Sequence, residues 1–386
     1  MQYDKFVFVN TTTLAINLRR VRDQKGLTQA EVAERAGISR IAYRNIETGM
    51  AAPRASTLTR LVAVLGVKTA DLMTEVRTLQ AVRFRQNRRI RREPILDRVS
   101  RWLEAYTELE GLLGQKNAFT FAKAKINRQL SGIDGAKRAA EAARRCVGLQ
   151  PEESIRDFCE LLEANGVKVY PFVHQAEGFF GLSVAKSDGG PAIAVNVWDQ
   201  ISVERWIFTA AHELGHLLLH LDAYRVESLE ENETEEKEAD VFASYFLMHQ
   251  EAFEGAWHEA RGLAFVERVF KVKQLFRVSY QTVLHRVQDT TSLGKSAWSR
   301  FREEYRKPDG SALAKTEEPH GLKPPMVEPH TAHEPYRLSQ HEFSGGRLKL
   351  LVRDGVEKEL ISIGRGAEIL GLDLMEMRKL VASWVE

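Results

Sequence analysis

Residues 208–220 read FTAAHELGHLLLH, and this stretch decides the fold of the central part of the chain. The apolar residues around it predict a buried helix from about residue 202 to residue 220. His212 and His216 are four residues apart, so on a helix both imidazoles project from one face, one turn apart. Zinc favours nitrogen donors, and two buried histidines need a shared partner. The stretch therefore predicts a zinc site on a helix.

Glu213 follows the first of these histidines directly. In this position a carboxylate can take a proton from a zinc-bound water, which then attacks a carbonyl carbon. We therefore predict Glu213 as the catalytic residue of a zinc-dependent hydrolase. Because the short motif also occurs by chance in ordinary helices, the surrounding sequence has to supply the remaining parts of the site.

A catalytic zinc site needs a third protein ligand, and residues 236–240, EKEAD, offer one. On a helix Glu236 and Asp240 share a face, so Glu236 can bind the metal while Asp240 orients a ligand histidine. Glu235 and Glu238 remain competing ligands. The spacing of Glu236 and Asp240 resembles that of thermolysin-like peptidases.

Two further side chains near the motif are expected to have other roles. His220 is eight residues beyond His212, which is roughly 12 Å along a continuous helix and too far to share one ion. We expect it to be structural or to support a ligand. Tyr245 is a possible oxyanion donor, but a position in the helix core fits its sequence better.

The stretches PAIAVN at 191–196, FTAAHELGHLLLH at 208–220 and EKEADVFASYFLM at 236–248 together resemble the ImmA/IrrE family of metallopeptidases. The resemblance covers roughly residues 150–290 and implies zinc bound by His212, His216 and Glu236, with Glu213 as the base. Where the family often has Asn, this chain has Asp240. The family's activity, cleavage of a partner repressor in stress or mobile-element responses, is the implied function. The strand 192–197 is then the expected edge for a substrate strand.

Residues 27–39, LTQAEVAERAGIS, predict a helix-turn-helix. Thr28 and Glu31 form a capping box, Gly37 makes the turn, and Ser39 caps the next helix. With its flanking helices this region resembles a Cro/C1-type (XRE) domain that binds a double-stranded DNA operator. By that resemblance we predict these DNA-contacting residues: Gln29, Ser39, Arg40, Ile41, Arg44 and Asn45. A helix-turn-helix that binds only protein is the alternative.

The fold class expected from these patterns is α+β and multidomain. An all-α helix-turn-helix domain is expected at 12–75, then a helical, arginine-rich linker or dimerisation arm at 76–149. A zincin-like (HExxH) metallopeptidase domain with a small β-sheet follows at 150–290. A partly disordered linker at 291–346 and a small helical element at 347–386 complete the chain. Before that last helix pair, residues 348–352 and 359–363 are β-like in sequence.

Composition limits the class of protein. The 386 residues carry a formal net charge of +2 and two cysteines, Cys146 and Cys159, which match no metal-binding or disulfide framework. No apolar run is long enough for a signal peptide or a membrane span, so the sequence predicts a cytoplasmic protein with no membrane partner. We expect a homodimer, because a single helix-turn-helix domain binds DNA weakly.

These patterns lead to one main hypothesis and one alternative. The main hypothesis is a DNA-binding transcriptional regulator whose zinc endopeptidase domain cleaves a partner protein, a repressor, in a stress or mobile-element response. The alternative is a non-proteolytic DNA-binding repressor or antitoxin that uses the zinc fold as a sensor or partner-binding module. The intact Glu213 favours the first hypothesis, because a pure sensor has no need of it.

Overall fold

The computed structural model describes residues 11–73, 79, 81–86, 92–126, 131–220, 224, 232–305, 311, 313, 318 and 338–384. The chain divides into two compact units. The first comprises residues 1–78 and 91–102, and the second comprises residues 79–90 and 103–386. Among the described residues, no helix combines the length and apolar character needed to cross a membrane. The α+β multidomain architecture expected from the sequence is confirmed.

The first unit is helical. Its helices are α1 (Thr11–Gln24), α2 (Gln29–Arg35), α3 (Arg40–Glu47), α4 (Ala55–Leu65), α5 (Thr69–Met73) and the first part of α6 (Glu93–Leu113). The predicted capping box is present, since Glu31 N donates to Thr28 Oγ1 and Thr28 N donates to the Glu31 carboxylate. Apolar side chains from α1 to α5 close a separate small core. The caps fix where α2 and α3 begin, so they also fix the turn between these helices.

The second unit contains a four-stranded sheet in the order β1-β3-β4-β2. Its strands are β1 (Val82–Gln86), β2 (Lys168–Phe172), β3 (Phe179–Val184) and β4 (Ala192–Asn196). The predicted hairpin is confirmed, because β3 pairs antiparallel with β4. β2 runs parallel to β4, and β1 runs antiparallel to β3. Strand β4 is therefore interior, and its assignment as the free edge for a substrate is wrong.

Strand β1 also corrects the expectation of an entirely helical arm at 76–149. Val82 and Phe84 are buried, and Arg83 between them is not. This alternation is that of a strand with one covered face. The arginines dominate the composition of the stretch and mask the short apolar alternation. Residues 87–91 of the arginine-rich stretch lie outside the described part of the chain.

Helices cover the sheet and continue to the end of the chain. They are α7 (Gly132–Cys146), α8 (Phe158–Ala164), α9 (Val203–Leu219), α10 (Glu233–Leu247), α11 (Gln250–Glu259), α12 (Phe265–Phe276), α13 (Tyr280–Thr290), α14 (Ser296–Glu304), α15 (Arg347–Glu357), α16 (Ile363–Leu370) and α17 (Leu374–Ala382). Short 3-10 turns lie at Thr120–Lys123, Lys186–Asp188, Ala260–Gly262 and Gln340–Glu342. The main apolar core lies between the sheet, α7 to α10 and α12 to α14.

Residues 291–346, expected to be a partly disordered linker, begin with a helix, and the β-like runs expected at 348–352 and 359–363 are both wrong. The start of the supposed linker at 291 is ordered, because α14 buries Ala297 and Phe301 in the main core. The β-like run at 348–352 lies in α15, where Leu351, Val352 and Gly355 form a buried helical face. Their spacing of one and four residues is helical rather than alternating. Most of the predicted linker, from 306 to 337, lies outside the described residues.

Candidate metal centre

Helix α9 carries the two histidines and the glutamate of the motif. Ser202 caps its N-terminus, where the hydroxyl accepts a hydrogen bond from Arg205 N at 3.3 Å. The side chains of His212, Glu213 and His216 are 1%, 0% and 1% exposed. Polar groups buried to this degree must be matched by partners, because an unpaired one would cost several kcal/mol of folding free energy.

Helix α10 packs against α9 at Gly215. A Cβ atom built at Gly215 would lie 3.0 Å from Phe242 Cδ1 and 3.3 Å from Phe242 Cβ. The glycine therefore allows the close approach of the two helices. Asn232 caps α10, since its Oδ1 accepts from Thr234 N at 3.0 Å. This start of the helix places Glu236 in its first turn, over the histidines.

Three possible ligand atoms converge between the helices. His212 Nε2 lies 3.1 Å from Glu236 Oε2, and His216 Nε2 lies 3.2 Å from Glu236 Oε1. The two Nε2 atoms are 2.9 Å apart. One donor atom from each of the three residues lies within 4.8 Å of the other two. These are the three residues predicted from the sequence as metal ligands, and their geometry is one that could hold a metal ion.

The outer partners of the histidines determine which ring nitrogens carry protons. His212 Nδ1 lies 2.8 Å from Asp240 Oδ1, so this nitrogen donates to the carboxylate. His220 Nε2 lies 2.8 Å from Glu238 Oε2 and donates in the same way, leaving its Nδ1 as an acceptor. His216 Nδ1, 2.9 Å from His220 Nδ1, then donates to it. With the Nδ1 atoms of His212 and His216 engaged by these outer partners, their Nε2 atoms are the ring nitrogens that face Glu236.

Burial and hydrogen bonding also shift the pKa values of these groups. Burial lowers the pKa of His216 well below 6.5, and it also lowers the pKa of His220. Burial acts to raise the pKa of Glu236, but the rings of His212 and His216 beside it hold that pKa well below its ordinary value. Two histidine nitrogens and one carboxylate thus converge on one point. This donor set fits zinc, which binds neutral histidine and carboxylate oxygen.

Glu213 lies at the end of a separate hydrogen-bonded chain. The Ser183 hydroxyl donates to Glu213 Oε2 at 2.5 Å, and Tyr224 Oη lies 2.8 Å from Ser183 Oγ. Since the Ser183 hydroxyl donates its proton to the Glu213 carboxylate, the Tyr224 hydroxyl must donate to the serine oxygen. Burial and the charge of Glu213 raise the pKa of Tyr224 well above 10, so Tyr224 keeps its proton. The chain therefore fixes the orientation of the Glu213 carboxylate.

The competing acidic residues have other partners. Arg83 of β1 donates to Glu235 and, through Nη2 at 3.0 Å, to Glu236 Oε1. Glu238 accepts from His220 and from the backbone N–H of Gly132. Neither Glu235 nor Glu238 is in the group of donor atoms. Glu236 is thus held by the two histidines on one side and by an arginine on the other.

Tyr245, a possible oxyanion donor by sequence, contacts two basic side chains. Its ring lies against the Arg286 guanidinium at 3.6 Å and the Lys137 ammonium at 5.0 Å. This is the helix-core position that the sequence favours over a role as oxyanion donor.

In the first unit, α3 presents a polar face to solvent. Tyr43 and Ile46 are buried, whereas Arg40, Ile41 and Arg44 are exposed, Ile41 to 73%. Residues 40, 41 and 44 share one side of the helix, as expected for a helix that reads DNA. The remaining predicted contacts on or before this helix are the exposed Ser39 and the half-buried Asn45.

Ser39 and Gln29 also have structural partners. Ser39 Oγ accepts from Ala42 N at 3.1 Å and thereby caps α3. The Gln29 amide donates to the buried carboxylate of Glu47, which also accepts from Arg22 Nε at 2.6 Å. Gln29 is therefore held at the start of α2 by a buried acid, so that its orientation is fixed before any DNA binds.

Comparison with known proteins agrees with both halves of this description. Residues 162–288 match the family model described as the IrrE N-terminal-like domain, and residues 18–72 match the helix-turn-helix model. The chain is also similar to the uncharacterized HTH-type transcriptional regulator y4dJ of Sinorhizobium fredii. The two are 41% identical over 58 residues, which is 15% of this chain and 75% of the relative. The chain belongs to the XRE-type regulator family, and its residues 162–288 form an IrrE-like domain. It is a DNA-binding regulator with a peptidase-type domain. The metallopeptidase family to which this domain is similar implies a bound metal.

The IrrE-like match contains the whole donor group and Glu213, but not every residue that contacts them. Arg83 lies outside the matched range, whereas Ser183 and Tyr224 lie within it. None of these three residues is predicted as functional from the sequence. Ser183 and Tyr224 carry no local motif, and Arg83 is one of several arginines in its stretch. Arg83 and Ser183 are brought together by the pairing of β1 with β3. This pairing is a tertiary contact, so no local sequence pattern indicates it.

Proposed function

We propose that the IrrE-like domain is a zinc endopeptidase that hydrolyses a partner protein, a DNA-binding repressor, and that the XRE-type domain directs the protein to an operator. The observation that carries this proposal is the convergence of two histidine Nε2 atoms and the Glu236 carboxylate beside Glu213. A site built only for structure would need four protein ligands and no adjacent base. Here the described donors supply three.

The residues have distinct parts in the proposed reaction. A zinc ion held by His212, His216 and Glu236 would polarise the scissile carbonyl and lower the pKa of the attacking water. Glu213 accepts the proton of that water on a carboxylate oxygen and passes it to the departing amine. Ser183 and Tyr224 hold the carboxylate in place for both transfers.

The DNA-binding part of the proposal rests on α3. Arg40 and Arg44 suit guanine or phosphate, and Asn45 suits adenine, from one exposed helix. Operators of such domains are read by pairs of half-sites, and we include a homodimer in the proposal for that reason.

The test compares newly formed protein N-termini in cells that express the wild type, Glu213→Gln or Glu259→Gln under several stresses. Glu213→Gln keeps the size of the side chain and an oxygen that can accept from Ser183, so the fold should persist. Glu259→Gln makes the same chemical change at an exposed position of α11 and serves as the control. We expect a cut that appears with the wild type and the control but not with Glu213→Gln.

A cut that persists in Glu213→Gln cells would show that another protease makes it. The absence of any difference under every stress would instead favour the non-proteolytic repressor or antitoxin, with the zinc fold as a sensor.

A further inference from the structure

Strand β1 lies where a second chain would be expected to bind. The three strands β2, β3 and β4 all lie within the IrrE-like match at residues 162–288. Strand β1 comes from residues 82–86, well before that match. Without it, β3 would be the edge of the sheet, with open backbone groups able to pair with an added strand.

The β3 edge is also the edge beside the metal centre. Ser183 of β3 donates to the proposed base Glu213. Arg83 of β1 is the direct partner of Ser183 in the antiparallel register, and its side chain reaches Glu236. Directly paired residues project from the same face of a sheet. A strand paired with β3 therefore passes next to both the base and the metal ligands.

The contacts of β1 show what such a strand must supply. Val82 and Phe84 are buried, and the Phe84 ring lies 6.2 Å from that of Phe179. Between them, Arg83 is 10% exposed in its side chain and binds the Glu235 and Glu236 carboxylates. The site thus accepts an extended segment with a basic residue flanked by apolar ones.

We infer that the β3 edge is the binding site for the substrate strand, an extended basic segment of a protein, and that residues 82–86 occupy it as an internal competitor. This inference rests on the proposed peptidase function for the meaning of the site. A substrate strand can pair with β3 only after β1 has left.

The connectivity of the chain links this competitor to the DNA-binding unit. In sequence, residues 79–90 are flanked on both sides by parts of the first unit, 1–78 and 91–102. Strand β1 has five residues, and its register with β3 shifts between Arg85 and Gln86. A short, irregular edge strand is easier to displace than a long one.

Two variants of the full-length protein test the inference from opposite directions. The release variant carries Val82→Asp and Phe84→Asp, which place charges at the two buried positions of β1. The lock variant carries Val82→Cys and Val184→Cys, the direct partners on β1 and β3. Ala185 N donates to Ala81 O at 2.9 Å, so by alternation the 82–184 pair is non-hydrogen-bonded. Its Cα separation, about 4.5 Å in such pairs, lies within the range of disulfides.

The first readout needs no catalysis. All proteins carry Glu213→Gln, and fluorescence anisotropy follows a labelled peptide of residues 79–90, LQAVRFRQNRRI, with a scrambled peptide of the same composition as control. When β1 occupies the site, the apparent affinity for the peptide is reduced in proportion to the fraction of molecules whose site is free. We therefore expect the release variant to bind the peptide at least about tenfold more tightly than the wild type. The oxidised lock variant should bind no more than the wild type. Equal binding by the wild type and the release variant, or tight binding by the oxidised lock variant, would overturn the inference.

The second readout uses the lock variant with Glu213 intact and the cellular substrate found by the N-terminus comparison. Oxidation should stop the cleavage, and a reductant should restore it. This comparison uses one protein and does not depend on the folding of the release variant. Equal cleavage in both redox states would refute the competitor while leaving the peptidase intact. Peptide binding without cleavage by any variant would support the site and refute the peptidase.

Discussion

Replacing Glu236 with alanine removes one of the three donor groups and leaves the two histidines on α9. A zinc site with four protein ligands binds its metal with about 10–16 kcal/mol, or roughly 3 kcal/mol for each ligand. At 1.4 kcal/mol for each factor of ten, this loss corresponds to about a hundredfold weaker binding. Arg83 would also lose one of its carboxylate partners and keep its positive charge near the metal. We therefore expect zinc affinity to fall by about 10²- to 10³-fold.

Competition with a chromophoric chelator at neutral pH measures this change. Glu235→Ala is the matched control, because Glu235 also binds Arg83 but is outside the donor group. Its affinity should change by less than about threefold. For His220→Ala we expect zinc affinity to fall by about 10- to 100-fold, between the losses in Glu235→Ala and Glu236→Ala, because His220 fixes the tautomer of His216. Wild-type affinity in Glu236→Ala, or equal losses in the Glu235 and Glu236 variants, would refute the ligand assignment.

Two further predictions concern other parts of the molecule. Burial raises the pKa of Glu318, beside Lys273 and Glu204, from 4.5 to about 7, so the folded protein binds a proton there that the unfolded chain releases. The stability that this proton provides, about 3 kcal/mol, should be complete below pH 4.5 and lost as the pH rises through 7. Urea unfolding at pH 5.5 and pH 8 should show about 2 kcal/mol of that loss in the wild type and a smaller loss in Glu318→Gln, and equal losses would contradict the prediction. In the first unit, Arg40→Ala with Arg44→Ala should abolish a sequence-specific footprint on operator DNA without changing the melting temperature of the protein, since both side chains are exposed; an unchanged footprint would exclude α3 as the reading helix.

The spacing of His212 and His216 determines a shared helix face wherever the sequence forms a helix, because helical periodicity is local. The same holds for the caps of the helix-turn-helix, where Thr28 and Ser39 lie next to the backbone groups that they satisfy. These features depend on neighbours within a few residues. They could therefore be predicted from the sequence alone, together with the fold class.

The choice among nearby acidic residues needed the packing of two helices. Glu235, Glu236 and Glu238 all lie in the first half of α10, and the sequence left more than one of them as a possible ligand. The approach of α10 to α9 at Gly215 decides which carboxylate faces the histidines. The same packing gives Asp240 its contact with the His212 ring and Glu238 its contact with His220.

The sequence alone determined that a helix of this chain carries a paired-histidine motif with an adjacent glutamate, and that a capped helix pair precedes it. Only the tertiary structure decided that Arg83 and Ser183, one hundred residues apart, become partners across two strands at the metal centre. Local patterns report periodicity and capping, because their interactions are between near neighbours. Strand order carries no such local signal, since it is set by which distant segments bury their apolar faces together.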